Sequence, residues 1–340
     1  MRYADPVARP TIRDVATAAR VSTATVSRVV NGNASVDPRL RDRVLAAIQR
    51  LGYRPSATAR RLVAGRTGLV GVLVPDLSNP FFHSVLKGLT TAAEVDGYGI
   101  VVADTEESPQ REMSLSLGLL EQTDALVLCS PRMDDEHLQE LATDSRPTVC
   151  VNHAPGGLAM PCINMDEYEG ALSLAGHLTG LGHRRIAYLR GPKRSWSDGE
   201  RWRALQDAAA FGLTATAIDC GSDMQAGFAA AEKIDDHDVT ATVAFNDYVA
   251  FGLLSGLQAR GVRVPEDMSL AGFDDIPFAT YVSPGITTVR RPVVRLGGDV
   301  WHTLNAMISG AAAQKPTALR SQIVVRASTG APRTPPEKAS

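Results

Sequence analysis

Residues 11–65 read TIRDVATAARVSTATVSRVVNGNASVDPRLRDRVLAAIQRLGYRPSATARRLVAG, and this stretch decides the fold of the N-terminal part of the chain. Thr11 followed by Asp14 forms a capping box, which predicts that a helix begins there. Apolar residues then recur three and four positions apart, as they do on one face of a helix. The same spacing returns after Ser22 and again after Asp37. The stretch therefore predicts three short helices.

The first two predicted helices are separated only by a tight turn at Arg20-Val21. Three short helices with such a turn match a DNA-binding helix-turn-helix, whose second helix enters the major groove. Arg28 can span O6 and N7 of guanine, a contact that discriminates between bases by about 1–3 kcal/mol. Hydroxyl groups near the start of a helix suit phosphates, which position the protein without reading the sequence. The candidate DNA contacts in this part of the chain are Thr11, Ser22, Thr23, Ala24, Thr25, Ser27, Arg28 and Asn31.

Charge is segregated along the chain. Residues 1–66 contain 13 Arg, no Lys and 4 Asp, which is a net charge of +9, whereas the remaining 274 residues carry a net charge of −11. A short cationic unit on an acidic body indicates that only that unit meets a polyanion. The helical pattern alone fits a three-helix protein-binding module equally well, and the excess of arginine favours DNA.

Length and composition exclude several classes of protein. A chain of 340 residues with 44% hydrophobic and 21% charged residues is typical of a soluble protein with two or three domains. No apolar run approaches the roughly 20 residues of a membrane span, and residues 1–10 lack the apolar core of a signal peptide, so we expect a cytoplasmic protein without a membrane partner. The four cysteines and seven histidines show no metal-ligand spacing, so we expect reduced cysteines, no metal and no cofactor.

From residue 68 onward, short apolar strands alternate with helical stretches. The predicted strands are Leu69–Val74, Ile100–Ala103, Ala125–Cys129, Thr148–Val151, Arg185–Leu189, Thr242–Phe245 and Ser269–Phe273. This alternation predicts an α/β fold of doubly wound parallel sheets with helices on both faces. The length, together with a polar break near residues 161–166, predicts two lobes. A ligand is then expected in the cleft beyond the carboxyl ends of the strands.

Both parts of the chain resemble one family. The first part is similar to the DNA-binding head of the lactose-repressor/galactose-repressor family, most densely in Thr25-Val26-Ser27-Arg28-Val29. The body carries that family's motifs in order, among them PDLSNPFF at 75–82 and GFDD at 272–275, and is also similar to periplasmic sugar-binding proteins. The resemblance covers roughly residues 10–330. It implies a helix-turn-helix domain at 10–53, a hinge segment at 54–66 and a two-lobed effector-binding and dimerisation core at 67–330, in which the chain crosses between lobes near 161–166, 290 and 320.

The resemblance also implies a function. It indicates a transcription regulator and not an enzyme, most simply a repressor that binds a pseudo-palindromic operator as a homodimer or tetramer. Its effector would be a small polar metabolite of the sugar, sugar-derivative or nucleoside class. In the hinge, Leu62 would enter the minor groove with Ala59 packed beside it, an apolar wedge whose unstacking cost is recovered by contacts with a bent duplex. Without the resemblance, Leu62 fits an ordinary helix-packing role.

By the same resemblance, residues at the ends of strands form the effector site. The candidate effector contacts are Asn79, Phe81, Phe82, Asn152, Trp196, Arg201, Asn246, Asp274 and Arg291. Carboxylate, amide and guanidinium groups suit the hydroxyls of a sugar, and the phenylalanines suit either stacking on its ring or core packing. Asn152 stands where relatives often carry Asp, and Arg291 where many carry Gln, so the site gains positive charge. We therefore expect an effector with an anionic group, unless Arg291 pairs with Asp274 or Asp247.

Three other functions fit parts of the pattern. The solute-binding protein of a transporter would have a signal peptide and no cationic head. A doubly wound enzyme would need a phosphate-binding Gly-rich loop after the first strand, a nucleophile elbow or a metal-spaced cluster, and the sequence shows none of these. A regulator that responds mainly to a partner protein would share every motif, so the sequence leaves this function open. Whether the effector releases DNA or promotes binding is also open.

Overall fold

The N-terminal unit of the protein is a three-helix head. The computed structural model describes residues 10–30, 36–53, 66–154, 157–234, 237–311 and 319–333, and its contacts divide the chain into two compact units, residues 1–68 and 69–340. The helices of the head are α1 (Ile12–Ala19), α2 (Thr23–Val30) and α3 (Pro38–Leu51). Their shared core contains Val15, Ala16, Ala19, Val26, Val29, Val44 and Ala47.

The ends of these helices follow from local hydrogen bonding. The predicted capping box is present, with Thr11 and Asp14 bonded reciprocally, and the Ser22 hydroxyl accepts from the backbone N–H of Thr25 at 3.1 Å. Arg20 ends α1 with φ 51°, a left-handed conformation that is costly for a residue with a side chain. The Arg43 guanidinium donates to the carbonyl oxygens of Ala19 and Arg20, at 2.6 and 3.3 Å, and so holds the tight turn.

The second unit begins with a five-stranded parallel sheet, the first lobe. Its strands are β1 (Leu69–Val74), β2 (Gly99–Asp104), β3 (Ala125–Cys129), β4 (Thr148–Val151) and β5 (Cys162–Ile163), in the order β2-β1-β3-β4-β5. The helices between them are α4 (Pro80–Val95), α5 (Pro109–Gln122) and α6 (Asp135–Ala142). The break predicted at 161–166 therefore contains a short strand, β5, which the sequence did not indicate. Two consecutive residues carry too little periodicity to be recognised.

The second lobe is built on a four-stranded parallel sheet. Its strands are β6 (Arg185–Arg190), β7 (Thr214–Asp219), β8 (Ala241–Ala244) and β9 (Ser269–Ala271), in the order β7-β6-β8-β9. Its helices are α7 (Glu167–Leu181), α8 (Trp196–Asp207), α9 (Met224–Ile234) and α10 (Asp247–Ala259), with 3₁₀ turns at Ala208–Phe211 and Pro277–Thr280. An antiparallel pair, β10 (Thr288–Arg290) with β11 (Gln322–Val324), completes the described elements together with α11 (Val293–Ser309).

The chain passes between the lobes three times: between β5 and α7, between β10 and α11, and between α11 and β11. Helix α11 returns to the first lobe, where it packs on α4 and β4. This packing needs Gly88, because a Cβ there would lie 1.9 Å from the carbonyl oxygen of Val294. Three connections limit how the lobes can move, since each must tolerate any change of angle between them.

Two negative observations apply to the described parts of the chain. No helix among them is long and apolar enough to cross a membrane. The same residues contain no group of three or more His, Cys, Asp or Glu side chains placed to hold a metal ion.

Candidate functional site

Helix α2 of the head carries the candidate DNA-contacting surface. Its polar face points outward because Val26 and Val29 are buried in the core of the head. The predicted contacts on this helix and its cap are all exposed or half-buried: Ser22, Thr23, Ala24, Thr25, Ser27 and Arg28. The helix therefore offers a continuous polar surface of the kind that enters a major groove.

The hydroxyl groups of Thr11 and Ser22 also stabilise the starts of α1 and α2. Backbone and side-chain hydrogen bonds from Thr11 to Asp14, at 2.7 and 2.8 Å, lower the pKa of that carboxyl. The Ser22 and Thr25 hydroxyls lie 2.9 Å apart, in hydrogen-bond contact. These contacts fix the N-termini of α1 and α2, where unpaired backbone N–H groups form natural anion sites. Asn31, Ala59 and Leu62, with the predicted hinge up to residue 65, lie outside the described residues, and their roles stay predictions.

A cavity lies between the two lobes of the second unit, at the carboxyl ends of their strands. It is lined by Asn79, Phe81, Phe82, Glu107, Ser130, Arg132, Asn152, Ser195, Ser197, Arg201, Ser222, Phe245, Asn246, Asp274 and Arg291. Its volume is about 30 Å³, roughly the space of two ordered water molecules. A sugar-sized molecule therefore requires the lobes to move apart.

Four buried charged groups lie together on the second-lobe side of the cavity, and three of them line it: Arg201, Asp274 and Arg291. Glu167 accepts from Nε and Nη2 of Arg201, at 2.9 and 2.8 Å, and also from Nη1 of Arg291. Arg291 donates in addition to Asp274, whose carboxylate lies 3.9 Å from Arg201. We call Glu167, Arg201, Asp274 and Arg291 the charge cluster. Its two guanidinium groups balance its two carboxylates.

Burial and charge pairing oppose each other in this cluster. Burial raises the pKa of Asp274, although the neighbouring Arg291 and Arg201 act in the opposite direction. Burial likewise disfavours the charged form of Arg201, yet Glu167 and Asp274 hold its pKa above the ordinary value. Aromatic faces cover the cations, with the Arg201 guanidinium carbon 3.9 Å from the ring centroid of Phe273. The cluster is therefore held by mutual pairing of buried charges.

A second polar group, centred on Arg132, lines the cavity from the first lobe. Arg132 is 5% exposed and donates from Nε and Nη2 to the carboxylate of Glu107. Its Nη1 donates to the carbonyl oxygen of Ser130 at 2.7 Å. The lobes touch here, because the Ser222 hydroxyl donates to Glu107 at 3.3 Å and Arg194 donates to the carbonyl oxygen of Arg132 at 3.4 Å. These two long hydrogen bonds bridge the mouth of the cleft.

Backbone strain is concentrated at this cavity. Among the described residues other than glycine, seven have positive φ, and six of them follow strands that end at the cleft: Glu106, Glu107, Ser130, Asn152, Asp274 and Asp275. Residues held in such conformations cost about 1–3 kcal/mol each and collect at functional sites, where the surrounding structure imposes them. The cleft is therefore a candidate binding site on evidence that is independent of any motif.

The structure brings most of the predicted effector contacts together. Eight of them line the cavity: Asn79, Phe81, Phe82, Asn152, Arg201, Asn246, Asp274 and Arg291. Trp196 does not line it. Ser195 caps α8 and Ser197 faces the cavity, so the helical turn directs the intervening Trp196 elsewhere. The side-chain oxygens of Asn79 and Asn246 also cap α4 and α10, which fixes both amides in place.

Arg291 pairs in the way that the sequence left open as an alternative. Its guanidinium is bound by Asp274, as considered, and by Glu167, which the sequence did not single out. The expectation of an anionic effector rested on two changes, Asn152 in place of Asp and Arg291 in place of Gln, and the second adds no unpaired cation because carboxylates balance the charge of Arg291. Asn152 has a different character, since its Oδ1 is buried without a hydrogen-bond partner among the described residues.

Sequence reasoning missed several lining residues: Glu107, Ser130, Arg132, Ser195, Ser197, Ser222 and Phe245. Most of them follow the ends of β2, β3, β6, β7 and β8 by a few residues. The expectation that ligands bind at the carboxyl ends of parallel strands was therefore the signal that could have located them.

Comparison with known proteins agrees with this geometry. The family model for bacterial regulatory proteins of the lacI family matches residues 11–56, and a model of the periplasmic binding protein-like domain matches residues 175–329. Catabolite control protein A of Priestia megaterium is 33% identical over 302 residues, which is 86% of this chain and 91% of that protein. The HTH-type transcriptional regulator GalS of Salmonella typhimurium is 34% identical over 296 residues, covering 84% and 86% of the two chains.

A solved structure is similar over most of the chain. The Lac repressor dimer bound to operator and the anti-inducer ONPF superposes with a TM-score of 0.84 at 25% identity, covering 95% of this chain and 100% of that one. Identity above 30% over most of both chains, the matched head and the two-lobed core together identify the family. The chain belongs to the lacI family of bacterial regulatory proteins and is a DNA-binding transcriptional regulator, not an enzyme.

Proposed function

We propose that this regulator is a cytoplasmic repressor that binds a pseudo-palindromic operator as a homodimer. Its affinity for the operator would change when an uncharged, polyhydroxylated small molecule enters the cleft. The observation that carries the proposal is the cavity between the lobes, which combines buried polar groups with strained backbone. Among structural relatives, the regulator CelR was solved with cellobiose, at 29% identity, and a lacI-family regulator of Enterococcus faecalis with ribose, at 25% identity.

Charge balance supports an uncharged effector. A phosphate or carboxylate entering the cleft would meet a charge cluster in which both guanidinium groups already have carboxylate partners. On the first-lobe side, Arg132 is bound by Glu107, and the carboxylate of Glu112 accepts from the backbone N–H groups of Arg132 and Met133. Hydroxyl groups can both donate to the carboxylates and accept from the guanidinium groups, so a polyol fits without a net charge to bury.

In the head, Arg28 would read a guanine and the exposed start of α2 would contact phosphates. Thr23 and Ala24 are exposed beside it and would help to select the operator. Each half-site would then receive one copy of this helix, and Leu62 with Ala59 would widen the minor groove between the half-sites. These roles rest on the exposed surface of α2 and on family resemblance.

An apolar groove on the second unit supports the dimer. It is lined by residues of both lobes, among them Pro80, Tyr248, Phe251, Phe278 and Val294. Phe278 is 57% exposed and Val294 55%, and together with the other lining residues they form a contiguous apolar patch, which is typical of a protein interface. A second copy of this chain is the proposed occupant, because the similar Lac repressor was solved as a dimer. A protein co-regulator on this groove is the competing hypothesis.

Two experiments test the proposal. Selection from a randomised duplex library, followed by fluorescence anisotropy, should give a palindromic site that the full-length protein prefers over scrambled DNA. A thermal-shift screen of sugars, sugar phosphates and nucleosides should then find a neutral compound that raises Tm, and that compound should change operator affinity. The absence of preference for any palindrome, with or without candidate compounds, would refute the proposal.

A further inference from the structure

Two of the four cysteines are neighbours across the edge of the first-lobe sheet. Cys150 on β4 and Cys162 on β5 are directly paired in the register of these parallel strands. Neighbouring strands lie about 4.8 Å apart, and paired residues direct their side chains to the same face. Both side chains pack against the same core cluster, which contains Leu138 and Leu141. The register therefore places the two Cα atoms within the limit of about 7 Å for a disulfide, with both side chains on the same face of the sheet.

The two thiols differ in accessibility and acidity. Cys150 is fully buried, and burial raises the pKa of its thiol well above the ordinary value. Cys162 is half-buried on the edge strand, and a hydrogen bond from Cys150 lowers the pKa of its thiol. Because the thiolate is the nucleophile, we expect Cys162 to react with an oxidant first and Cys150 to act as the resolving cysteine. This division of roles is typical of redox-sensing pairs.

The other two cysteines lack this arrangement. Burial raises the pKa of Cys129 to about 12 and that of Cys220 to about 11. Cys220 is half-buried like Cys162, so it provides a matched control for exposure. At neutral pH a thiol with a pKa of about 11 is ionised in only about one molecule in ten thousand.

We propose that Cys150 and Cys162 form a reversible disulfide when the protein meets a peroxide. The Cys162 thiolate attacks one oxygen of the peroxide, the O–O bond breaks, and a sulfenic acid forms while the other oxygen leaves as water or alcohol. The Cys150 sulfur then attacks the Cys162 sulfur and displaces its oxygen, which leaves as water with the thiol proton. Two thiols are oxidised and one peroxide is reduced, and a dithiol reductant reverses the reaction.

The position of the pair gives the cross-link a consequence. Asn152, which lines the cavity, lies two residues after Cys150, and the first passage between the lobes begins directly after β5. A disulfide would tie that passage covalently to β4. Intracellular disulfides outside hyperthermophiles are mostly transient and regulatory, which suits a reversible cross-link at this place.

The test uses the full-length protein and hydrogen peroxide. We expect intact mass to fall by two hydrogens, peptide mapping without reductant to join the peptides of Cys150 and Cys162, and dithiothreitol to restore the original mass. In Cys150→Ser, dimedone should trap a sulfenic acid on Cys162, whereas Cys220→Ser should behave as the wild type. We expect Cys162 to react at least about tenfold faster than Cys220, because a lower intrinsic nucleophilicity offsets only part of its larger thiolate fraction.

Three results would overturn the proposal, and the first two need no variant. They are a wild-type protein that gains oxygen at Cys162 without forming the cross-link, equal rates of oxidation at Cys162 and Cys220, and a Cys150→Ser protein in which dimedone labels no cysteine. Since the reaction concerns two thiols of the folded core, it stands or falls independently of the operator and the effector.

Discussion

Replacing Glu167 by Gln tests the charge cluster most directly. Glu167 is 1% exposed and accepts hydrogen bonds from both Arg201 and Arg291. In Glu167→Gln, two buried guanidinium groups share the single carboxylate of Asp274. Removing one partner of a buried ion pair costs about 3–5 kcal/mol, because the remaining charge stays buried without compensation. In a domain of this size, that loss corresponds to a decrease in Tm of about 10 °C.

Glu169→Gln is the matched control. Glu169 lies in the first turn of the same helix, α7, and is exposed, so its replacement should change the stability by only a few tenths of a kcal/mol. Unfolding by heat and by urea should separate the two variants clearly. Glu167→Gln with Arg291→Gln should recover part of the lost stability, because it removes the uncompensated cation as well.

The same variant reports on the charge of the ligand. With one carboxylate gone, the cleft should accept an anion that the wild type rejects, so inorganic phosphate should raise Tm of Glu167→Gln more than that of the wild type. If Glu167→Gln were as stable as Glu169→Gln, the carboxylate of Glu167 would not contribute to the stability of the fold. If phosphate stabilised the wild type as strongly as the variant, the proposal of an uncharged effector would be wrong.

Three further predictions concern the head, the core and the groove. Arg28→Ala should lose about 1–3 kcal/mol of base discrimination per half-site while keeping weak, salt-sensitive binding to DNA. If the variant still discriminated between operator and random duplex as the wild type does, Arg28 would not read bases. Burial raises the pKa of Asp247 well above its usual range, so the stability that this carboxyl contributes is full below about pH 4 and is lost as pH rises towards the folded pKa. Asp247→Asn should therefore make Tm less dependent on pH between about 4 and 8. Parallel curves of Tm against pH for the variant and the wild type would contradict this. Phe278→Asp should weaken dimerisation roughly 100-fold or more in sedimentation experiments, and a dimer of unchanged stability would place the interface elsewhere.

The sequence predicted best those elements whose residues are buried on both faces. Leu69–Val74, Ala125–Cys129 and Thr148–Val151 have the predicted bounds, because a central parallel strand is an apolar run that ends at polar residues. Thr214–Asp219 escaped prediction, since it lies at the edge of its sheet and is largely half-exposed, with small Ala and Thr side chains. The β10–β11 pair depends on a partner more than 30 residues away, which no local pattern contains.

The candidate site shows the same limit. Asn79, Asn246 and Asp274 could be named from the sequence because motifs mark them. Glu167 could not, because an acidic residue in the first turn of a helix has an ordinary local explanation, its favourable interaction with the helix dipole. Only the fold shows that it lies 1% exposed beside two guanidinium groups from distant parts of the chain.

The strength of the polar contacts differs between the two sides of the cleft, and this difference bears on mechanism. On the side of the second passage between the lobes, Arg291 joins the buried charge cluster, whose contacts are short and ionic. At the mouth, the lobes meet through hydrogen bonds of 3.3 and 3.4 Å, from Ser222 to Glu107 and from Arg194 to Arg132, and through a half-exposed ion pair of Arg194 with Asp134 at 3.9 Å. Opening the mouth breaks only these long contacts, whereas detaching Arg291 from the second lobe would break buried ion pairs and cost several kcal/mol. We expect the passage at Arg291 to stay attached to the second lobe when the mouth opens, so a ligand that holds the mouth at another angle would change the angle between the two lobes.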